Sequence, residues 1–129
     1  MDKTEIIKNY WYSLVSPDAA KLKKYFHIDA KIFWHNTNEL FTADEFIRIN
    51  CAYPGKWSSE LKSAEAFNGK VTTVVRVFSD EASLHAVSFF EISDGKIKRI
   101  DEYWSEDGPA PVWRRQMKIG NPIVPVKMK

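Results

Sequence analysis

A single cysteine, Cys51, occurs in the chain, so no internal disulfide can form and the core must be held by burial alone. No apolar run approaches the ~20 residues of a membrane-spanning helix, so no membrane partner is expected. The opening stretch, MDKTEIIKNYWYSL, is too charged and polar for a secretory leader. With the lone thiol, that makes a reducing cytoplasm the expected compartment. Glycine is sparse, five residues in all, and none falls in a phosphate-cradling loop. Zinc-type Cys/His spacing, a serine-nucleophile elbow and internal repeats are all missing, so neither a metal nor a cofactor is expected. A large excess of charge is missing too: a net of +2 gives no footprint for nucleic acid.

What the chain does have is rings. Five Trp, five Tyr and eight Phe make up 14% of 129 residues, enough to pack an aromatic core or to line a pocket. The length is that of one domain, able to bury roughly two-thirds of its unfolded surface, and we read residues 1–129 as a single unit. Charge is unevenly spread. Residues 110–129 hold Arg114, Arg115, Lys118, Lys127 and Lys129 and no acid, which leaves the first 109 residues at −3. Such an extended basic tail reads as a solvated arm lying against acids such as the DEYWSED stretch before it.

Asp2 to Thr4 offers an N-cap, and Ile6, Ile7, Tyr10, Trp11, Leu14 and Val15 fall on one face of a first helix. Ser16-Pro17-Asp18 stops it and caps a second helix, Ala19 to Phe26. His27-Ile28-Asp29 reads as a turn, AKIFWH as a strand, and Asn36 to Leu40 as a polar loop. Thr42 with Glu45 forms a capping box for a helix from Ala43 to about Cys51. From Lys56 the period changes from 3.6 to 2, giving strands at about 57–67, 70–79, 83–93 and 96–105. Asn68-Gly69 and Asp94-Gly95 are hairpin turns, because both residues of such pairs tolerate positive φ. The proline-bearing tail from Gly108 is expected to hold no regular helix. The layout is α+β.

The segments NYWYSLVSPDAAKLKKYF, DAKIFWHNTNELFTADEFI and DGKIKRIDEYW resemble the NTF2-like superfamily, and within it the SnoaL-like branch of small bacterial proteins. The resemblance implies a cone: three N-terminal helices packed on a curved, mainly antiparallel sheet, with an apolar pocket on the concave side. It also implies a homodimer through the convex sheet face. It does not select a chemistry, since the superfamily hosts isomerases, dehydratases, cyclases, epoxide hydrolases and plain binders.

Within that frame, strand alternation puts Ile100, Glu102 and Trp104 inward, so Glu102 is a carboxyl in a low-dielectric cone and a candidate general acid or base. Tyr10 matches, without gaps, the oxyanion-hole tyrosine of the steroid-isomerase relatives, and is otherwise a core tyrosine. Trp34 stands where those relatives carry their proton-abstracting aspartate, which argues against that reaction. His35 is the third catalytic candidate, though alternation turns it to the convex side unless a bulge re-aims it. Trp34, Asn36, Ser88, Ile100 and Trp104 are candidate pocket residues, with Tyr53 and Trp57 at the rim. Arg76 is added as a possible partner of Glu102, in part like the acid–arginine arrangement of the epoxide-hydrolase relatives; such a pair would lower the carboxyl pKa that burial raises. The expected function is a pocket for a small hydrophobic, planar molecule, either a cofactor-free isomerase, cyclase or dehydratase, or a non-catalytic ligand-binding or dimeric interaction domain.

Overall fold

Asp2 begins the first helix as its residue type suggests: the side chain accepts the Glu5 N–H and caps α1, Lys3–Leu14. The computed structural model describes residues 2–124. Asp18 caps α2, Ala19–Lys23, by accepting the N–H groups of Ala20 and Lys21. α2 is shorter than the sequence suggests, because Phe26 leaves the helix to start β1, Phe26–Trp34. The expected turn His27-Ile28-Asp29 is therefore part of a strand, but an irregular one. The register against its parallel partner slips between Phe26 and Lys31, leaving Ile28 exposed while Phe26 and Ala30 stay buried.

The polar stretch read as a loop ends in a short strand, β2, Glu39–Thr42, antiparallel to β1. Phe41 makes it worthwhile: its ring packs edge-on against Trp34 at 4.9 Å and is buried. Thr42 and Glu45 form the expected capping box on α3, Ala43–Ala52. Four long strands follow, β3 Ser58–Phe67, β4 Lys70–Phe78, β5 Ser83–Ser93 and β6 Lys96–Glu106. The tight turns use positive φ at Asn68, Gly69, Asp94 and Gly95, as these residue pairs allow.

The six strands form one curved, open sheet in the order β2-β1-β6-β5-β4-β3, antiparallel throughout except where β1 runs parallel to β6. α1 packs over β3 and β4, α3 over β1, and α2 against α3. Between helices and sheet lies the core, built around Ile7, Tyr10, Leu22, Phe46, Phe90 and Ile100. A second register shift, between Glu91 and Ile92, lets Ile97 and Ile100 both face that core although they are three residues apart. The fold is thus α+β as expected, with α3 placed after two strands and a further helix in the tail. That helix, α4, Val112–Gln116, corrects the expectation of an irregular tail: Pro111 occupies its N-cap, so the prolines flank it and do not interrupt it.

The described part of the basic arm is not laid on acids. Among the described residues, Arg114, Arg115 and Lys118 are in no ion pair, and Lys127 and Lys129 lie outside the described residues. Cys51 is exposed on α3 and is not a packing residue. Among the described residues, no helix is long and apolar enough to cross a membrane.

Candidate functional site

Alternation along β6 places Glu102 on the helix-covered face, where its residue is only 6% exposed. Its partners across the sheet come from two other strands. β1 pairs Trp34 with Glu102 and β5 pairs Ser88 with it, so both side chains emerge beside the carboxyl. Trp34 Nε1 donates to Oε1 at 3.0 Å and the Ser88 hydroxyl donates to Oε2 at 2.5 Å. Burial pushes the Glu102 carboxyl above the usual carboxylate range, against the downward pull of those two hydrogen bonds.

Glu102 lines a cavity of about 430 Å³ that opens between the helices and the sheet. Its walls are aromatic: Trp11, Trp34, Phe46, Tyr53, Trp57 and Trp104. Trp34 and Trp104 meet nearly at right angles, 79° with centroids 6.1 Å apart, and Tyr53 and Trp57 do so at 80° and 6.5 Å. Leu14, Val15 and Pro17 close one side and Val77, Leu84 and Ala86 the other. Exposed acids, Glu81, Glu106 and Asp107, stand at the mouth. The rim is pinned by Trp57 Nε1, which donates to the Pro54 carbonyl at 2.9 Å across Gly55, a residue with φ +91°.

Among the expected pocket residues, Trp34, Tyr53, Trp57 and Trp104 line the cavity together with Glu102. Ser88 is buried behind it and orients the carboxyl, and Ile100 belongs to the closed core. Asn36 is exposed and off the cavity, but its Oδ1 accepts the Trp104 backbone N–H at 2.8 Å and so tethers the end of β6.

Three further expected site residues do not line the cavity either. Tyr10 is wholly buried among Trp11, Tyr25, Phe26 and Phe90, and does not line the cavity. Its hydroxyl finds no hydrogen-bond partner among the described residues, and burial first, then the charge of Glu102, raises its pKa. His35 lies on the convex side with no bulge to turn it, stacked on Tyr103 at 4.6 Å and bonded through Nε2 to Asp101 at 2.8 Å. Arg76 is also turned from the cavity, since its strand neighbours Val75 and Val77 face inward. Its Nε donates to Ser83 and its guanidinium sits 4.1 Å over Phe78, so the Arg76–Glu102 pair does not exist. Among the described residues, no cation opposes desolvation at Glu102. Trp11 and Phe46 carried the helical spacing that could have marked them as lining residues; the mouth acids carried no local signal.

No family profile matches the sequence, and no curated protein matches it. Solved structures do. A protein from Kribbella flavida described as a putative ketosteroid isomerase superposes with a TM-score of 0.77 at 22% identity, over 96% of this chain and 90% of its own. An NTF-2 like protein of unknown function from Burkholderia xenovorans gives 0.72 at 20%, over 87% and 89%. This chain has the NTF2-like fold. A third structure with the NTF2-like fold, a putative SnoaL-like polyketide cyclase from Shewanella putrefaciens, gives 0.69 at 13%, over 81% and 90%. At these identities the likeness concerns the fold, and the NTF2-like cone leaves the chemistry to the residues that line it.

Proposed function

We propose that the protein is a small-molecule pocket protein of the SnoaL-like kind, in which Glu102 is the acid–base group for a cofactor-free proton transfer such as an isomerisation, cyclisation or dehydration. The observation that carries this is a buried carboxyl opening onto an aromatic cavity of a size suited to a small ligand. A carboxyl with a raised pKa holds or accepts a proton closer to neutrality than an exposed one would. Trp34 and Ser88 fix its two oxygens in place, so the proton is delivered from a defined position.

A second reading, ligand binding without chemistry, also has a specific support. An oxyanion would need donors, and the Tyr10 hydroxyl that the steroid-isomerase resemblance offers for that role is off the cavity. The two readings separate experimentally. A thermal-shift screen against planar aromatics, polyketides, terpenes and steroids, read beside tryptophan fluorescence, identifies a ligand class. Glu102→Gln is then expected to lower turnover about 100-fold or more. Ligand binding by the wild type with no turnover selects the binding reading. The assembly that goes with both is a homodimer through the convex face, where Phe89 and Tyr103 are 41% and 46% exposed.

A further inference from the structure

The cavity presents acceptors and π-systems, and very few donors. Of the four indoles that line it, three spend their N–H inside the protein: Trp34 on Glu102, Trp57 on the Pro54 carbonyl, and Trp11 on the Thr73 hydroxyl at 3.1 Å. The Ser83 hydroxyl at the mouth donates to Asp107, and Asn50 spends one of its two N–H groups on the Phe46 carbonyl at 2.8 Å. Trp104, Tyr53 and the second N–H of Asn50 are the side-chain donors left among the described lining residues.

The charge is as one-sided as the hydrogen bonding. Four carboxylates line the cavity, and among the described residues no Lys, Arg or His does. Asp107 is answered by His85 and by nearby Arg76. Glu81 and Glu106 are in no ion pair among the described residues, and Glu102 is buried with two hydrogen-bond donors but no cation. An anionic ligand would meet like charge here and give up its hydration for almost no donors.

We propose that the ligand is an organic cation, an amine or quaternary ammonium group on an apolar body, with the cationic head between Trp34 and Trp104 beside Glu102. This rests on the reading of the cavity as a ligand site and adds the ligand's charge. The near-perpendicular Trp34 and Trp104 form two walls of an aromatic cage, and such rings attract a cation through their negative faces. Because Trp34 donates its N–H to a carboxylate, electron density is pushed into its ring, which strengthens that attraction. The aliphatic sides of the cavity take the apolar body, and the acids at its mouth raise the local concentration of cations.

The test uses the full chain and two probes of the same shape, benzyltrimethylammonium and its neutral carbon isostere neopentylbenzene, titrated by tryptophan fluorescence. The cation is expected to bind about tenfold or more tighter than the isostere. Glu102→Gln should remove most of that preference and leave the isostere's affinity as it was. Trp104→Leu, farther from the buried carboxyl's hydrogen bonds, should weaken the cation more than the isostere. Isostere binding equal to or tighter than the cation's overturns the inference while leaving the cavity reading in place. So does a preference that survives both substitutions. If neither probe binds, and no compound of the apolar panel does, the ligand-site reading falls with it.

Discussion

Glu102 is the residue on which most of the chemistry rests, and its burial has a consequence for stability. Its folded pKa is raised, so the folded protein keeps a proton that the unfolded chain releases above about pH 4.5. That favourable contribution is complete below the unfolded value and is lost as pH rises through the folded one. Glu102→Gln does not titrate and keeps the side chain's shape. The variant's melting temperature relative to the wild type should therefore climb between pH 4.5 and pH 8, with the gap smallest at the acid end. Paired calorimetric scans check this, and a gap independent of pH would remove burial as the dominant influence on the carboxyl. Tyr10 illustrates the opposite outcome for a candidate. Its place on the apolar face of α1 was legible from spacing, but whether its hydroxyl reached a pocket depended on Phe26 and Phe90, which lie far along the chain and close over it.

Among the elements, those with local chemical signatures appear where the sequence put them. The α3 capping box satisfies two N–H groups reciprocally, and Thr42→Ala is expected to cost about 1 kcal/mol in urea unfolding, with the slope of the transition unchanged. The two hairpins with positive-φ pairs hold the β3–β4 and β5–β6 registers. The misread elements are those whose state is decided by a distant partner. β2 is a strand because β1 is beside it and Trp34 is there for Phe41 to cover. His27 to Asp29 is strand and not turn because β6 offers a parallel partner on either side of a bulge, and no local pattern announces a partner about 70 residues away. Short α4 is possible because Pro111 stands at its N-cap and no proline falls within Val112–Gln116, so none interrupts its hydrogen bonds.

At the scale of the molecule, the sheet separates two kinds of surface. The concave side is covered by helices and opens at the cavity. The convex side carries a cluster in which Tyr103 stacks on His35 and meets Phe89 edge-on at 6.3 Å, with Arg99 over Phe33 at 4.0 Å. If the proposed homodimer uses this face, Phe89→Glu combined with Tyr103→Glu should convert a dimer to a monomer in sedimentation, because two acids per chain would face each other across the two-fold. A wild type that sediments as a monomer ends that proposal. Composition, the 3.6-to-2 change of period, the turn pairs and the caps were enough by themselves to define an α+β fold, its long strands and the inward parity of Glu102. These depend on neighbours within a few residues, so the local order of side chains carries them. Which polar groups meet was settled only in three dimensions: that Glu102 takes Trp34 and Ser88 and not Arg76, that His35 pairs with Asp101, and that four carboxylates share a cavity lined by no cation among the described residues. Those contacts are set by strand order, register and bulges, which are properties of the whole sheet and are written in no single segment.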